Sequence, residues 1–367
     1  MVQVASGKRL IVVRGGMTEP LLLSDLRDGG PGLRRVVHGY GTAGSWRRTL
    51  GRYGAVLREV VWALPRDLMP RGGGVKRIEP GIDPEPDAAR VALYVHYAPS
   101  GGVSRMVLCQ LLALRQVGFA VVFISSAAGI PDADWQAVRG LCALAMQRRN
   151  FGLDFGAWHD AVPEVRRRWP VLLELMLAND SVLGPIYPMQ PVIEALRSGG
   201  DGLFGLTESL QGGPHLQTYM LLARGRAAVA DLCGFLETLV LSHSKWLLVQ
   251  RGELRLARWM RGRGHRVAAL FGYERLVRAV LARAEERVWL GDPEADVERL
   301  MAWPVNPTQH LWHGLVACLG APFIKTELVR RNPAHRPGVE NWPGLVPPDA
   351  PSSVAVLQAH LAAMKAG

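Results

Sequence analysis

The chain predicts an α/β fold with a mostly parallel, helix-covered central sheet, and three observations lead there. Short, near-continuous apolar runs alternate with segments of helical periodicity, the pattern of strands buried on both faces and joined by crossover helices. Gly118 stands where one helix should end and the next strand begin. The run Val171-Leu172-Leu173-Glu174-Leu175-Met176-Leu177-Ala178 delivers Asn179-Asp180-Ser181, and Val182-Leu183-Gly184-Pro185 then turns the chain away. An acidic group at the C-terminal end of a buried strand lies where such sheets bind ligands. An ordinary strand-to-loop turn, for which Asn, Asp and Ser are also suited, is the competing reading of the tripeptide.

Taken in order, residues 1–44 are rich in Gly and Arg and receive no functional assignment. From Trp46, apolar residues recur at Leu50, Tyr53, Leu57, Val60 and Leu64, with Arg47, Arg48, Arg52 and Arg58 between them. That spacing predicts an amphipathic helix. It suits a helix lying on anionic lipid with Trp46 and Trp62 near the headgroups, and equally one packed on the rest of the protein. Residues 65–88, with Pro65, Pro70, Gly72-Gly73-Gly74, Pro80, Pro84 and Pro86, read as a linker. Strand and helix then alternate: Arg90 to Tyr97 as strand, Ser104 to Gln116 as helix, Ala120 to Ser126 as strand, Trp135 to Met146 as helix. A loop around Asn150, a short helix from about Ala157, the Asn179 strand, a helix from Pro191 to Arg197, and strands at Gly202 to Leu206 and His215 to Ala223 follow.

Composition bounds the partners. The 367 residues are 49% hydrophobic, enough for a sizeable core, and 43 Lys and Arg against 32 Asp and Glu give a net charge of +11. Such a charge favours phosphorylated, nucleic or membrane-bound partners. Nucleic acid is not expected, because helix-turn-helix spacing, zinc-finger ligands and ribonucleoprotein aromatics are all missing from the sequence. Cys109, Cys142, Cys233 and Cys318 are scattered in apolar stretches, which suits buried free thiols in a reducing compartment. With neither a signal-peptide pattern nor an uncharged run of the roughly 18–20 residues that span a bilayer, a cytoplasmic protein is expected.

Several motifs occur in a distinctive order: Arg149-Asn150-Phe151-Gly152-Leu153-Asp154-Phe155-Gly156-Ala157-Trp158, the Asn179 tripeptide, Phe204-Gly205-Leu206-Thr207-Glu208-Ser209, His215-Leu216-Gln217-Thr218-Tyr219, Asn306-Pro307-Thr308 and Pro322-Phe323-Ile324-Lys325-Thr326-Glu327-Leu328. Over about residues 90–335 this order resembles the rhamnan synthesis F family of bacterial polysaccharide glycosyltransferases. The resemblance implies a nucleotide-sugar-binding domain of GT-A type and transfer of a sugar such as rhamnose onto a surface glycan or lipid-linked acceptor. It divides the chain into a basic extension and linker at 1–87, the transferase domain at 88–300 and a family-specific region at 301–367. Work at the inner face of the membrane is expected with that activity, and the basic helix from Trp46 allows peripheral contact to anionic lipid. A non-catalytic nucleotide-sugar- or glycan-binding protein of the same fold is the alternative.

The site expectations follow from residue chemistry and from this resemblance. One carboxylate plus substrate phosphates suffices for magnesium or manganese, so Asp180 is the expected ligand of a divalent cation that neutralises a leaving diphosphate. Asn150, Gly152, Asp154 and Gly156 suit a loop approaching a sugar or bracing itself, and the family order favours a donor loop with Arg149 on the diphosphate. By the resemblance, His96 and Tyr97 lie by the nucleotide beside Asn179 and Asp180. If the anomeric centre inverts, a base must take the acceptor proton. Glu253 in Gln250-Arg251-Gly252-Glu253-Leu254, at the expected opening of a helix, is the first choice, with Glu208 and His215 as the others. Arg255, Arg258, Arg261, Arg263 and Arg266 offer a basic stretch suited to phosphate or lipid headgroups, or simply a solvated face. Lys325 and Glu327 belong to the C-terminal signature without an assigned task.

Overall fold

The computed structural model describes residues 12–13, 16–17, 21–28, 46–68, 74–85, 87–292 and 294–364. Among these, a ten-stranded mixed sheet forms the centre. Its order is Ser24–Asp25, Arg266–Phe271, Gly202–Ser209, Met220–Arg224, Glu174–Asn179, Arg90–His96, Ala120–Ser125, Leu144–Arg148 and Val75–Pro80, with His215–Leu216 pairing off Gly202–Ser209. Glu174–Asn179, Arg90–His96, Ala120–Ser125 and Leu144–Arg148 form a parallel block. Met220–Arg224 runs against both neighbours, so Gly202–Ser209 and Arg266–Phe271 regain the direction of the block. The edge strands Ser24–Asp25 and Val75–Pro80 are antiparallel.

Both faces of the sheet are covered, which is why its inner strands read as continuous apolar runs rather than alternating ones. Ala92, Tyr94, Val121, Phe123, Met176 and Ala178 face one core, together with the helices Arg105–Gln116, Met189–Arg197 and Tyr273–Leu281. Val91, Leu93, Val95, Val122, Leu175 and Leu177 face the other, covered by Leu153–Arg168, Arg226–Thr238 and Leu254–Arg261. Fully burying a side chain such as Leu177 is worth about 1.5–3 kcal/mol, so the strand carrying the acidic tripeptide is firmly held.

Chain direction decides where a ligand can lie. From Arg90–His96 the chain moves outward through Ala120–Ser125 to Leu144–Arg148, then returns under the helix Leu153–Arg168 to lay Glu174–Asn179 on the opposite side of Arg90–His96. The crevice at such a reversal, beyond the C-terminal strand ends, is the ligand position of open α/β sheets. The register sets Val95 opposite Asn179.

Four expectations change. Trp135 to Met146 is not one helix: Asp132–Arg139 is helical, Gly140 caps it, and Leu144–Arg148 is a sheet strand whose residues are buried on both faces. The expected linker at 65–88 contains the edge strand Val75–Pro80, and the Trp46–Asp67 helix runs on through Pro65. His215 to Ala223 is two strands, His215–Leu216 and Met220–Arg224. Glu253 does not open a helix, because it ends a π-helical turn, Val249–Glu253, lying between Lys245–Leu248 and Leu254–Arg261. The side chains of Trp46, Arg47, Arg48, Leu50, Arg52 and Tyr53, and residues 29–45, lie outside the described residues.

Candidate functional site

At the sheet reversal the backbone first builds a carboxylate cradle. Asp180 N–H donates to the Val95 carbonyl at 3.1 Å, extending the parallel ladder by one residue. Tyr97 N–H donates to Asp180 Oδ2 at 2.8 Å, tying the ends of two neighbouring strands together. Asn179 Nδ2 donates to Asp154 Oδ2 at 2.8 Å, which brings a second carboxylate to the same strand end. Ser181 N–H donates to Asn179 Oδ1 at 3.1 Å, the local Asx bond that tripeptides of this kind favour.

Asp154 reaches the sheet reversal because of its loop. Gly152 takes a left-handed φ of 75° just before the helix Leu153–Arg168, and a Cβ on Gly156 would lie 2.0 Å from the Phe151 carbonyl oxygen. Only glycine allows that fold-back. The loop is braced from beneath by Arg148, a buried residue that sequence reasoning passed over for its neighbour. Arg148 Nε donates to Asp160 at 2.7 Å, and its other nitrogens donate to the Phe151 carbonyl and to Ser126 Oγ. Arg149 and Asn150 are exposed at the loop surface.

A second group approaches from the far side. His215 Nδ1–H donates to the Gly213 carbonyl at 2.8 Å, and His215 Nε2 lies 3.9 Å from Glu253 Oε1. The π turn that presents Glu253 also seats Gly252 against the Phe155 ring, where a Cβ would come within 2.6 Å. Such turns occur frequently at functional sites. Lys325 enters from the C-terminal region. Ile324–Lys325 pairs antiparallel with Val182–Leu183, and Lys325 Nζ donates to Ser181 Oγ at 2.8 Å.

The electrostatics join these groups. Burial pushes the Asp180 carboxyl up to about 7; Asp154 adds to the rise, while the Tyr97 N–H and Lys325 oppose it. Burial also raises Asp154, with Glu253 adding to it and Lys325, Lys245 and Asn179 opposing. Lys325 is lowered by burial against the pull of Glu253, Asp154 and Glu327. Asp154, Asp180, Glu253 and Lys325 therefore share one field. Strongly perturbed groups in a crevice mark a functional-site candidate.

Of the sequence-predicted residues, the structure brings together Asn179, Asp180, Asp154, Tyr97, Glu253 and His215. Tyr97 is 43% exposed, but His96 is only 1% exposed. His96 Nδ1 is hydrogen-bonded to Ser125 Oγ at 3.0 Å, and its pKa is lowered to about 4 by burial, so it stands beneath the crevice as a neutral strut. Glu208 points elsewhere. Its Oε2 accepts Tyr273 N–H at 2.8 Å at the start of the Tyr273–Leu281 helix, and its Oε1 accepts Arg27 N–H at 3.2 Å. The basic stretch is partly spent on ion pairs: Arg261 with Asp28, Arg263 with Asp231 and Arg266 with Asp25.

Residues 121–220 match the family model described as rhamnan synthesis protein F. This is the family the motif order resembles. The rhamnan synthesis F match includes Asp154, Asn179 and Asp180. Over 209 residues the chain is 27% identical to the virulence protein VirA of Vibrio anguillarum, covering 53% of this chain and 65% of that protein. Over 201 residues it is 24% identical to the uncharacterized protein y4gN of Sinorhizobium fredii, covering 53% of this chain and 52% of that one. The chain thus spans less than two thirds of the length of the curated relatives it matches. Among the described residues no helix is long and apolar enough to cross a membrane, and all four cysteines are free thiols.

Proposed function

We propose that this chain is a glycosyltransferase of GT-A-like fold. It moves a sugar, rhamnose being the one the family's name suggests, from a nucleoside diphosphate donor to a glycan or lipid-linked acceptor. The observation that carries the reading is the convergence of Asp154, Asp180, Glu253 and His215 at the reversal of the parallel sheet. Asp180 and Asp154 supply hard oxygen donors of the kind magnesium and manganese take beside substrate phosphates. Among the described residues no group of three or more His, Cys, Asp or Glu could hold a metal ion; a cation on these two carboxylates would take its remaining ligands from the donor. When bound, that cation neutralises charge on the leaving diphosphate.

The protein's own groups divide the remaining work. The exposed Tyr97 ring lines the nucleotide side, while Arg149, Asn150 and Gly152 form the donor loop. Glu253 takes the proton of the acceptor hydroxyl as its oxygen attacks the anomeric carbon, and the bond to the phosphate oxygen breaks with its electron pair leaving on the diphosphate. His215, anchored through Nδ1, holds Glu253 in place. Peripheral contact with anionic membrane at its inner face is supported by Leu57, Val61, Trp62 and Leu64, exposed on the Trp46–Asp67 helix, and by the net charge of +11.

The test is sugar transfer from a panel of nucleotide sugars to lipid-linked glycan extracts, followed by mass spectrometry with manganese present. One donor should yield a product carrying one added sugar, and Asp180→Ala should yield none. Full turnover by Asp180→Ala would remove the reading of this site.

A further inference from the structure

We propose that Lys325 is a diphosphate-binding residue of the site: its ammonium meets the negative charge that builds on the donor's leaving phosphates. The inference rests on the transferase reading above and gives a task to the C-terminal signature, which that reading leaves idle.

Lys325 is brought to the acidic strand end by a strap, not by chance contact. Ile324–Lys325 pairs with Val182–Leu183, Thr326 N–H donates to the Ser181 carbonyl at 3.1 Å, and Ile186 N–H donates to the Pro322 carbonyl at 2.9 Å. A Cβ on Gly184 would come within 2.5 Å of that same Pro322 oxygen, so the two segments are pressed together. The ammonium then reaches Ser181 Oγ at 2.8 Å and lies 5.4 Å from the centroid of the Tyr219 ring. Ser181 directly follows Asp180, the expected cation ligand.

What distinguishes Lys325 is what it does not do. An ammonium carries three N–H donors, and among the described residues its one hydrogen bond is the neutral one to Ser181. Although it shares the field of Asp154, Asp180 and Glu253, it is in no ion pair within 4.0 Å among the described residues. The buried Arg148 under the neighbouring loop behaves otherwise, being tied to Asp160 at 2.7 Å. A half-buried lysine with donors to spare at the ligand end of a parallel sheet suits a compact anion, and lysine binds phosphate as a point charge. In the transfer step the anomeric carbon gains the acceptor oxygen and loses the phosphate oxygen, and the acceptor proton goes to Glu253. Lys325 keeps its own protons and faces the oxygen that receives the electron pair.

Inorganic pyrophosphate is the probe. Calorimetric titration of the full chain, in chelator and again with manganese, should show binding by wild type. In chelator it should weaken about tenfold or more in Lys325→Met, the scale of a lost charge-assisted hydrogen bond. Lys325→Arg, which keeps the charge, should stay within about threefold of wild type. A measurement independent of how the variants fold is acylation of wild type by an amine-reactive ester: pyrophosphate should protect Lys325 and leave the exposed Lys76 of the edge strand Val75–Pro80 labelled. Unchanged affinity in Lys325→Met, or labelling of Lys325 unaffected by pyrophosphate, overturns the assignment alone. Wild type that binds neither pyrophosphate nor any nucleotide sugar, with or without manganese, overturns the transferase reading together with it.

Discussion

His215 Nε2 faces Glu253 Oε1 at 3.9 Å, while His215 Nδ1 is held by the Gly213 carbonyl at 2.8 Å. The Gly213 bond fixes the ring and aims Nε2 at the Glu253 carboxylate. Glu253→Gln keeps the shape and the contact but removes the basic oxygen. Transfer should fall about 10² to 10⁴-fold, the usual worth of a general base, with donor affinity unchanged. The same change at Glu208 should slow transfer far less and cost stability instead, since both Glu208 oxygens serve backbone N–H groups. Steady-state kinetics and melting curves of the two variants separate these outcomes.

Asp180 predicts a pH signature. Burial raises its carboxyl from an ordinary value near 3.8 to about 7, so between those values the native state holds a proton that the unfolded chain has released. Wild-type stability contributed at this site is therefore full below about pH 4 and is lost as pH rises towards 7. Asp180→Asn abolishes the titration. Its melting temperature relative to wild type should climb from pH 5 to 7 and level off above. A flat difference across that range contradicts the assigned environment.

Adjacent arginines should behave oppositely. Arg148→Met leaves Asp160 and the Phe151 carbonyl without their cation inside the fold and should destabilise by about 3–5 kcal/mol, the cost of breaking a buried pair. Arg149→Met, at the exposed loop, should leave the melting temperature unchanged and weaken donor binding. Denaturant titration and calorimetry check the pair.

How much of this was legible in the sequence depends on contact range. The strand ending in Asn179-Asp180-Ser181 could be read because its burial on both faces leaves a continuous apolar run, and its neighbours in the parallel block carry the same mark. Trp135 to Met146 reads as one helix, strand start included, because a short apolar run has no periodicity of its own to separate strand from buried helix. The nearness of Lys325 to Ser181 spans 144 residues and depends on how one two-residue strand pairs. Residue type alone does not encode that. Glu208 and Glu253 look alike in sequence; they differ because one meets backbone N–H groups at a helix start and the other ends a π turn beside a histidine.

Removal of the N-terminal region should depend on where the cut falls. Loss of residues 1–73 takes away the Trp46–Asp67 helix, which is held to the domain by Glu59 with Ser244 and Asp67 with Ser242 and His243, and the two-residue edge strand Ser24–Asp25, so it uncovers only a short stretch of Arg266–Phe271 and leaves the six-residue edge strand Val75–Pro80 in place. That protein should stay soluble with a lowered melting temperature. Loss of residues 1–87 uncovers the edge of Leu144–Arg148, and exposed strand edges promote aggregation. Sedimentation of the two truncations should show a monodisperse species for the first and aggregates for the second.

The central claim is that Asp154 and Asp180 form the donor end of a glycosyltransferase site, and the most direct measurement is thermal stabilisation by nucleotide sugars with and without manganese. A ligand present at about 100 times its Kd raises stability by about 2.7 kcal/mol, readily seen as a rise in melting temperature. The account predicts that at least one nucleotide sugar raises the melting temperature of wild type when manganese is present, and that Asp180→Asn and Asp154→Asn lose this rise while still folding. Stabilisation that is equal in wild type and both variants, or no stabilisation by any nucleotide sugar, would contradict it.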